Sequence, residues 1–107
     1  MILTELNQAL KLYVDDIREP KGRGWVIARS YDEAIHELST KNYDVLSLDH
    51  DIASYRDDGR EMTGYDIALW LAERKNDGGH VPSEIYIHSA NPVGEKNIQS
   101  VINRYLK

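Results

Sequence analysis

Acidic side chains follow two short apolar runs of the chain, and together they can bind a metal ion. Asp15 and Asp16 follow residues 11–14, and Asp49 follows residues 45–48. If both runs are parallel strands, their carboxyl ends meet at one edge of the sheet, where ligands of such sheets lie. Neighbouring carboxylates repel one another, and a hard divalent cation such as Mg²⁺ relieves that repulsion with oxygen ligands only. Asp15, Asp16 and Asp49 are therefore predicted metal ligands, although acidic residues are also common in turns.

Two histidines lie next to these positions in the predicted sheet. His50 follows Asp49 directly, and His88 ends the apolar run at residues 85–87. An imidazole titrates near neutral pH, so two of them can act as acid and base on a phosphodiester. Both histidines can also be ordinary polar residues near the surface. The predicted catalytic residues are His88, His50 and Asp49.

The last predicted helix starts with residues that can bind phosphate. Asn91 and Pro92 are typical of an N-cap and a first helical residue. Free amides at a helix start attract anions, Gly94 permits close approach, and the side chains of Ser89 and Asn91 add donors. A plain capped helix explains the same residues equally well. The predicted phosphate contacts are Ser89, Asn91, Gly94 and Arg18, whose planar guanidinium suits phosphate.

The predicted elements follow the order strand, strand, helix, strand, helix, strand, helix. The strands are residues 11–14, 25–28, 45–48 and 85–87. The helices begin after Ser30, at Thr63 or Gly64, and at Pro92, and the last has an apolar stripe of Ile98, Val101, Ile102 and Tyr105. Residues 52–62 are predicted to form a polar loop over the strand ends. This alternation favours a mainly parallel α/β sheet with right-handed crossovers.

The strands alternate in polarity, which predicts that helices cover one face of the sheet only. The side chains predicted to face the helices are Leu12, Val14, Leu46, Leu48, Ile85 and Ile87. Those predicted to point away are Lys11, Tyr13, Val45, Ser47, Tyr86 and His88. The second set is amphipathic, so we predict a homodimer or another partner on this face. The rival interpretation is that the N-terminal segment, with Leu3 and Leu6, folds over it.

The motifs together resemble the receiver domain of bacterial response regulators. Receivers carry an acidic pair after the first strand, Asp after the third and Ser/Thr-Ala after the fourth, as Asp15-Asp16, Asp49 and Ser89-Ala90 do here. The resemblance covers residues 10–106. It implies a reduced receiver (flavodoxin-like) fold, with a four-stranded sheet in the order 2-1-3-4 and three helices largely on one face. The receiver's first helix, its fifth helix and its fifth strand with a phosphate-binding lysine have no counterpart.

Three motifs are similar to the receiver-like group proposed to process cyclic phosphates. They are Asp-Asp-x-Arg-x-Pro at residues 15–20, Leu-Asp-His-Asp at 48–51 and His-Ser-x-Asn at 88–91. This resemblance implies a phosphoesterase or processing domain that acts on a cyclic phosphate in a nucleotide or RNA end, assisted by Mg²⁺ or another divalent cation. One alternative is a non-enzymatic receiver-like module that accepts phosphate on Asp49, or binds a phosphorylated ligand to signal or sequester it. Another is an interaction domain with a vestigial rim.

Composition limits the remaining possibilities. A length of 107 residues fits one domain, residues 1–107, and the absence of cysteine excludes disulfides and thiolate chemistry. The formal charge of −5 argues against a protein that coats duplex nucleic acid. We see neither a secretory signal nor the ~20 consecutive apolar residues of a membrane span. A cytoplasmic location without membrane contact is therefore expected.

Overall fold

The computed structural model describes residues 9–107, and its main sheet has four parallel strands. The strands are β1 (Lys11–Val14), β2 (Trp25–Ala28), β3 (Val45–Leu48), β4 (Ser54–Tyr55), β5 (Glu61–Met62) and β6 (Glu84–Ile87), and the helices are α1 (Tyr31–Thr40), α2 (Gly64–Asn76) and α3 (Pro92–Val101). The spatial order of the main sheet is β2-β1-β3-β6. This confirms the predicted order, with the fourth long strand numbered sixth because two short strands precede it.

Those two short strands correct the prediction of a loop at residues 52–62. β4 and β5 pair antiparallel, with Ser54 opposite Met62. Ile52 and Met62 at the two ends of this segment are buried. Because both apolar ends enter the core, the polar residues between them are brought together and pair as a hairpin.

The helices pack on one face of the main sheet, as predicted. The buried residues of all three helices form a single cluster with alternate residues of the strands. The strand members are Leu12, Val14, Ala28, Leu46 and Leu48. The helix members are Tyr31, Ala34 and Leu38 of α1, Ile67, Ala68 and Leu71 of α2, and Ile98 and Val101 of α3. Strand residues of the other parity, such as Tyr13 and Ser47, therefore point to the second face. Leu3 and Leu6, which would cover that face in the rival interpretation, lie outside the described residues.

Side chains fix the start of each helix. The Ser30 hydroxyl accepts from the Glu33 amide at 3.1 Å, while the Glu33 carboxylate accepts from the Arg29 amide at 2.8 Å. Glu33 thus reaches one residue further back than in a standard capping box, where its carboxylate would accept from the Ser30 amide. Thr63 and Asp66 form a complete capping box at α2.

The C-terminal end of the last helix differs from the prediction. Ile98, Val101 and Ile102 are buried, but Tyr105 is 49% exposed. After α3 the chain continues as a π-helical turn over Ile102–Leu106. The wider i→i+5 turn shifts the phase of the apolar stripe, so that Leu106 packs against the core in place of Tyr105. Among residues 9–107, no helix combines the length and apolar character needed to cross a membrane.

Candidate functional site

The hydrogen bonds of the main sheet continue one residue beyond the strands and fix three of the predicted site residues. The amide of Asp15 donates to the carbonyl of Ala28, that of Asp49 to Val14 and that of His88 to Leu48, each at 3.1 Å. All three residues therefore lie at the carboxyl edge of the sheet with their backbones held by the neighbouring strand. In open α/β sheets, ligands bind outside the carboxyl ends of the strands, which is this edge.

Three carboxylates meet there and can hold a metal ion. Asp15, Asp16 and Asp49 each offer an oxygen atom, and these atoms lie within 4.8 Å of one another. Asp15 and Asp49 are buried, whereas Asp16 is half-buried. The three residues line a cleft of about 270 Å³, whose other walls are Ile17, Arg18, Asp51 and Ala90. The donor set consists of oxygen atoms only, which suits a hard divalent cation.

The environment of Asp15 favours its charged form. One carboxylate oxygen accepts from the amides of Ile17 and Arg18 at 2.9 and 2.8 Å, and the other lies 3.1 Å from Nε2 of His88. Burial raises the pKa of Asp15, but the two backbone hydrogen bonds and the bond from His88 outweigh it, so the pKa lies below its ordinary value. Asp15 is thus an ionised carboxylate in a fixed orientation.

Asp49 has the opposite electrostatic environment. Burial raises its pKa, and the nearby charge of Asp15 raises it further, whereas His88 lowers it only in part. A raised pKa means that the charged carboxylate is disfavoured where it lies. A cation in the cleft would remove this penalty, so Asp49 fits the proposed donor set on electrostatic as well as geometric grounds.

Arg29 holds the loop that carries two of these groups, and sequence analysis missed it. Its Nη1 donates to the carbonyls of Asp15 and Arg18 at 3.2 and 2.7 Å, and its Nη2 lies 2.8 Å from a carboxylate oxygen of Glu19. The guanidinium therefore fastens the chain after β1 to the end of β2. Its position one residue past a strand, at the sheet edge, was the only signal in the sequence.

His88 lies at the back of the acidic cluster. Its Nε2 faces Asp15, and its Nδ1 lies 2.7 Å from the Ser47 hydroxyl. Its ring stacks on that of Tyr13, with centroids 4.2 Å apart and an angle of 5° between the planes. Burial lowers the pKa of His88 and outweighs the carboxylates of Asp49 and Asp15, which raise it. The neutral ring is thus the main form at neutral pH.

His50 packs against the start of α3, next to the residues that line the cleft. Its Nδ1 is 2.8 Å from a carboxylate oxygen of Asp51, which is itself a wall of the cleft. The hydrogen bond from His50 holds the pKa of Asp51 below its ordinary value. A side chain at Gly94 would overlap the His50 ring. Because Gly94 has no side chain, it leaves room for the His50 imidazole. This packing role differs from the phosphate contact that the sequence predicted for Gly94.

The predicted phosphate residues at the start of α3 are partly engaged with one another. The Ser89 hydroxyl accepts from the Asn91 amide at 3.1 Å, and the side-chain oxygen of Asn91 accepts from the Gly94 amide at 3.0 Å. The side-chain nitrogen of Asn91 donates to Asp51 at 3.3 Å. Asn91 is thus the N-cap that the sequence predicted, and its roles in phosphate binding stay a prediction, as do those of Ser89 and Gly94.

Arg18 is the predicted phosphate contact that lies in the cleft itself. It is exposed and lines the cleft beside the three carboxylates, and its side chain makes no ion pair within residues 9–107. The structure therefore brings Arg18, the acidic cluster and His88 together. It places His50, Asn91 and Gly94 in a second group, joined to the cleft through Asp51.

Comparison with known proteins identifies one family. A family model described as "Cyclic-phosphate processing Receiver domain" matches residues 10–104. Neither the curated proteins nor the solved structures contain a significant match to the chain. The matched segment includes every predicted site residue.

Proposed function

The chain belongs to the cyclic-phosphate processing receiver domain family, and we propose that it is a metal-assisted phosphoesterase acting on a cyclic phosphate in a nucleotide or RNA end. One observation carries the proposal. The acidic cluster, the exposed guanidinium of Arg18 and the His88 ring converge at one edge of the sheet. Metal-assisted hydrolysis of a cyclic phosphodiester uses a bound cation, contacts to the phosphate and proton transfer, and these groups can supply all three.

Asp15, Asp16 and Asp49 would hold the divalent cation, for which Mg²⁺ is our first candidate. When bound, such a cation supplies positive charge to the phosphate oxygens and relieves the repulsion among the carboxylates. Arg18 would contact the phosphate from the wall of the same cleft. Asp15 contributes an ionised oxygen whose direction is fixed by its backbone hydrogen bonds.

His88 and His50 would move protons between water, the phosphate and the leaving oxygen. His88 contacts the acidic cluster, because its Nε2 is hydrogen-bonded to Asp15. His50 is connected to the cleft through its hydrogen bond to Asp51. Ser89, Asn91 and Gly94 would add phosphate contacts beside α3 when their local hydrogen bonds rearrange.

The test is a panel of 2′,3′-cyclic and 3′,5′-cyclic nucleotides and RNA ends, each with and without Mg²⁺. We expect thermal stabilisation by at least one ligand, and ring opening of the same ligand detected by phosphorus NMR. His88→Ala should lower that rate by about 10²–10⁴-fold, an effect far greater than its effect on stability. His36→Ala, on the exposed part of α1, is the matched control. If no member of the panel binds or is opened, the proposed activity is wrong.

The position of Asp49 favours a second candidate function. Its carboxylate lies in the cleft after β3, next to two further carboxylates, as the phosphate-accepting Asp does in receivers. A non-enzymatic module that accepts phosphate on Asp49, or that binds a phosphorylated ligand to signal or sequester it, would use the same arrangement. Incubation with acetyl phosphate and Mg²⁺ should then add one phosphoryl group to the wild-type protein and none to Asp49→Asn, as measured by intact mass.

A further inference from the structure

Three polar groups form a continuous chain from the middle of the sheet to the acidic cluster. The Ser47 hydroxyl lies 2.7 Å from Nδ1 of His88, and Nε2 of the same ring lies 3.1 Å from a carboxylate oxygen of Asp15. We infer that Ser47 is a positioning residue: it fixes the His88 ring as a hydrogen-bond donor to Asp15, and through that ring it orients Asp15 within the acidic cluster. This inference deepens the proposed function, and its metal-binding part rests on it.

The donors and acceptors around His88 determine which of its two ring nitrogens carries the proton in the neutral form. Two backbone amides donate to one carboxylate oxygen of Asp15, which favours the ionised form of the group. In the ionised form the other oxygen can only accept a hydrogen bond. A bare Nε2 facing that oxygen would place two acceptors 3.1 Å apart. Nε2 must therefore carry a proton, whether the ring is neutral or charged.

The same donors and acceptors give Ser47 a defined role. In the neutral ring a proton on Nε2 leaves a lone pair on Nδ1, so the Ser47 hydroxyl is the donor in that bond. In the charged ring the hydroxyl becomes the acceptor. The hydroxyl can rotate to suit either case, which an apolar residue at position 47 could not do. A rotation of the ring by 180° would place carbon atoms against both Ser47 and Asp15.

The small size of Ser47 matters as much as its hydroxyl. Ser47 lies on β3, between Tyr13 on β1 and Tyr86 on β6 in the register of the sheet. His88 extends from the end of β6 across β3, and its ring stacks on Tyr13 at 4.2 Å. Ser47 is 8% exposed under these rings. A long or aromatic side chain here would displace the rings and move Nε2 away from Asp15.

Ser47 and His88 would hold a metal-binding carboxylate, that of Asp15, in position without being metal ligands themselves. Groups that hold a ligand in direction typically change metal affinity by about 10–100-fold when they are removed. Ser47 acts one bond further out than His88, so its effect should lie at the lower end of that range. Among residues 9–107 the Ser47 hydroxyl bonds to the His88 ring and to none of the three carboxylates, so its influence on Asp15 passes through the ring.

Nitrogen NMR of the histidine rings in the metal-free protein tests the first part. At about pH 9, where an ordinary imidazole is neutral, we expect the His88 proton on Nε2 and a hydrogen-bonded lone pair on Nδ1. Ser47→Ala should move the Nδ1 resonance towards the value of a free lone pair, while the exposed His36 stays unchanged. A wild-type proton on Nδ1, or an Nδ1 resonance that Ser47→Ala does not move, would overturn the inference.

Titration with Mg²⁺ and Mn²⁺ tests the second part. Ser47→Ala should weaken the affinity by about 10-fold, and Ser47→Thr, which keeps the hydroxyl, should recover part of it. Ser39→Ala, which removes an exposed hydroxyl on α1, is the matched control. An unchanged affinity in Ser47→Ala would overturn the orienting role. A wild type that binds neither ion overturns the metal part of the proposed function, whereas the ring resonances still decide the hydrogen-bond chain.

Discussion

At the scale of single residues, Asp15 and Asp49 show how two adjacent carboxylates acquire different properties. Asp15 accepts from two amides and a histidine, and its pKa is lowered by these bonds in spite of burial. Asp49 is buried next to that fixed charge, and its pKa is raised. The charged form of Asp49 therefore opposes folding at neutral pH unless a cation is present.

The first prediction concerns Asp49→Asn. In the presence of a chelator the variant should melt a few degrees above the wild type, since ~1 kcal/mol corresponds to roughly 4–8 °C in a domain of this size. A raised pKa stabilises the protonated form, so the contribution of Asp49 is present below its ordinary pKa and is lost as the pH rises. The advantage of Asn should therefore grow as the pH rises above about 4, the ordinary pKa of an aspartic acid, and stop growing once Asp49 is fully ionised in the folded protein.

The same variant should lose its response to the cation. Mg²⁺ or Mn²⁺ should raise the melting temperature of the wild type and leave Asp49→Asn unchanged. Asp57→Asn, which removes a charge from the exposed hairpin turn, should respond as the wild type does. If wild type and Asp49→Asn respond alike, the three carboxylates do not form a metal site.

At the scale of secondary structure, the start of α2 is locked to the loop after β3. The Gly64 amide donates to the carbonyl of His50 at 2.8 Å, and a Cβ at Gly64 would overlap the carbonyl of Asp49. Only glycine allows the helix to begin this close to the acidic cluster. The backbone of Asp49 is therefore held by β1 on one side and by α2 on the other.

The second prediction is that Gly64→Ala destabilises the protein by about 1–3 kcal/mol, the usual effect of overpacking against rigid backbone. The denaturation midpoint in urea measures it. Gly79→Ala is the control, because its added Cβ would mainly meet the flexible side chain of Arg74. Equal stability of the two variants would show that the loop after β3 can move away from α2.

The elements themselves could be predicted to a large extent from local patterns. Four strands and three helix starts follow from short apolar runs, caps and turn residues, which act within a few residues of one another. The β4–β5 hairpin could not be predicted in this way, because Ser54, Tyr55 and Glu61 pair only when the apolar ends of their segment enter the core. The exposed position of Tyr105 depends on a π-helical turn that no sequence pattern marks.

The acidic residues of the site could be predicted from the sequence, but the residues that hold them in position could not. Asp15, Asp16 and Asp49 follow strands, and parallel pairing brings strand ends together. Arg29 and Ser47 contribute through distances of 2.7–3.2 Å that depend on the pairing of distant segments. Their residue types occur widely in strands and loops, so no spacing in the sequence points to these contacts.

At the scale of the whole molecule, the second face of the main sheet is the largest feature that the proposed chemistry leaves aside. Tyr86 is 55% exposed there, whereas Tyr13 is buried between the rings of Trp25 and His88. The Lys11 ammonium lies 4.9 Å from the centre of the Trp25 ring. The face thus presents aromatic and polar groups together, a composition typical of protein contact surfaces.

The third prediction is a homodimer through this face. Sedimentation equilibrium should give a concentration-dependent dimer for the wild type, and Tyr86→Lys should shift it towards monomer, because it places a charge within the contact. Tyr55→Lys is the control, since Tyr55 is 65% exposed on the separate hairpin. A wild type that stays monomeric at all concentrations, or a Tyr86→Lys variant that dimerises normally, contradicts the prediction.

The parallel pairing of β1, β3 and β6 has a consequence for how the protein opens. Asp15, Asp49 and His88 are far apart along the chain, and each amide bonds to the adjacent strand. A cation bound by the cluster selects conformations in which β1 and β3 are paired, because its ligands follow these two strands. It also favours the pairing of β6, because His88 after β6 bonds to Asp15. Saturating Mg²⁺ should therefore slow amide hydrogen exchange along all three strands by a similar factor, while the amides of the β4–β5 hairpin exchange as before. Slowing confined to the loop at residues 15–18 would indicate that the ion holds that loop alone.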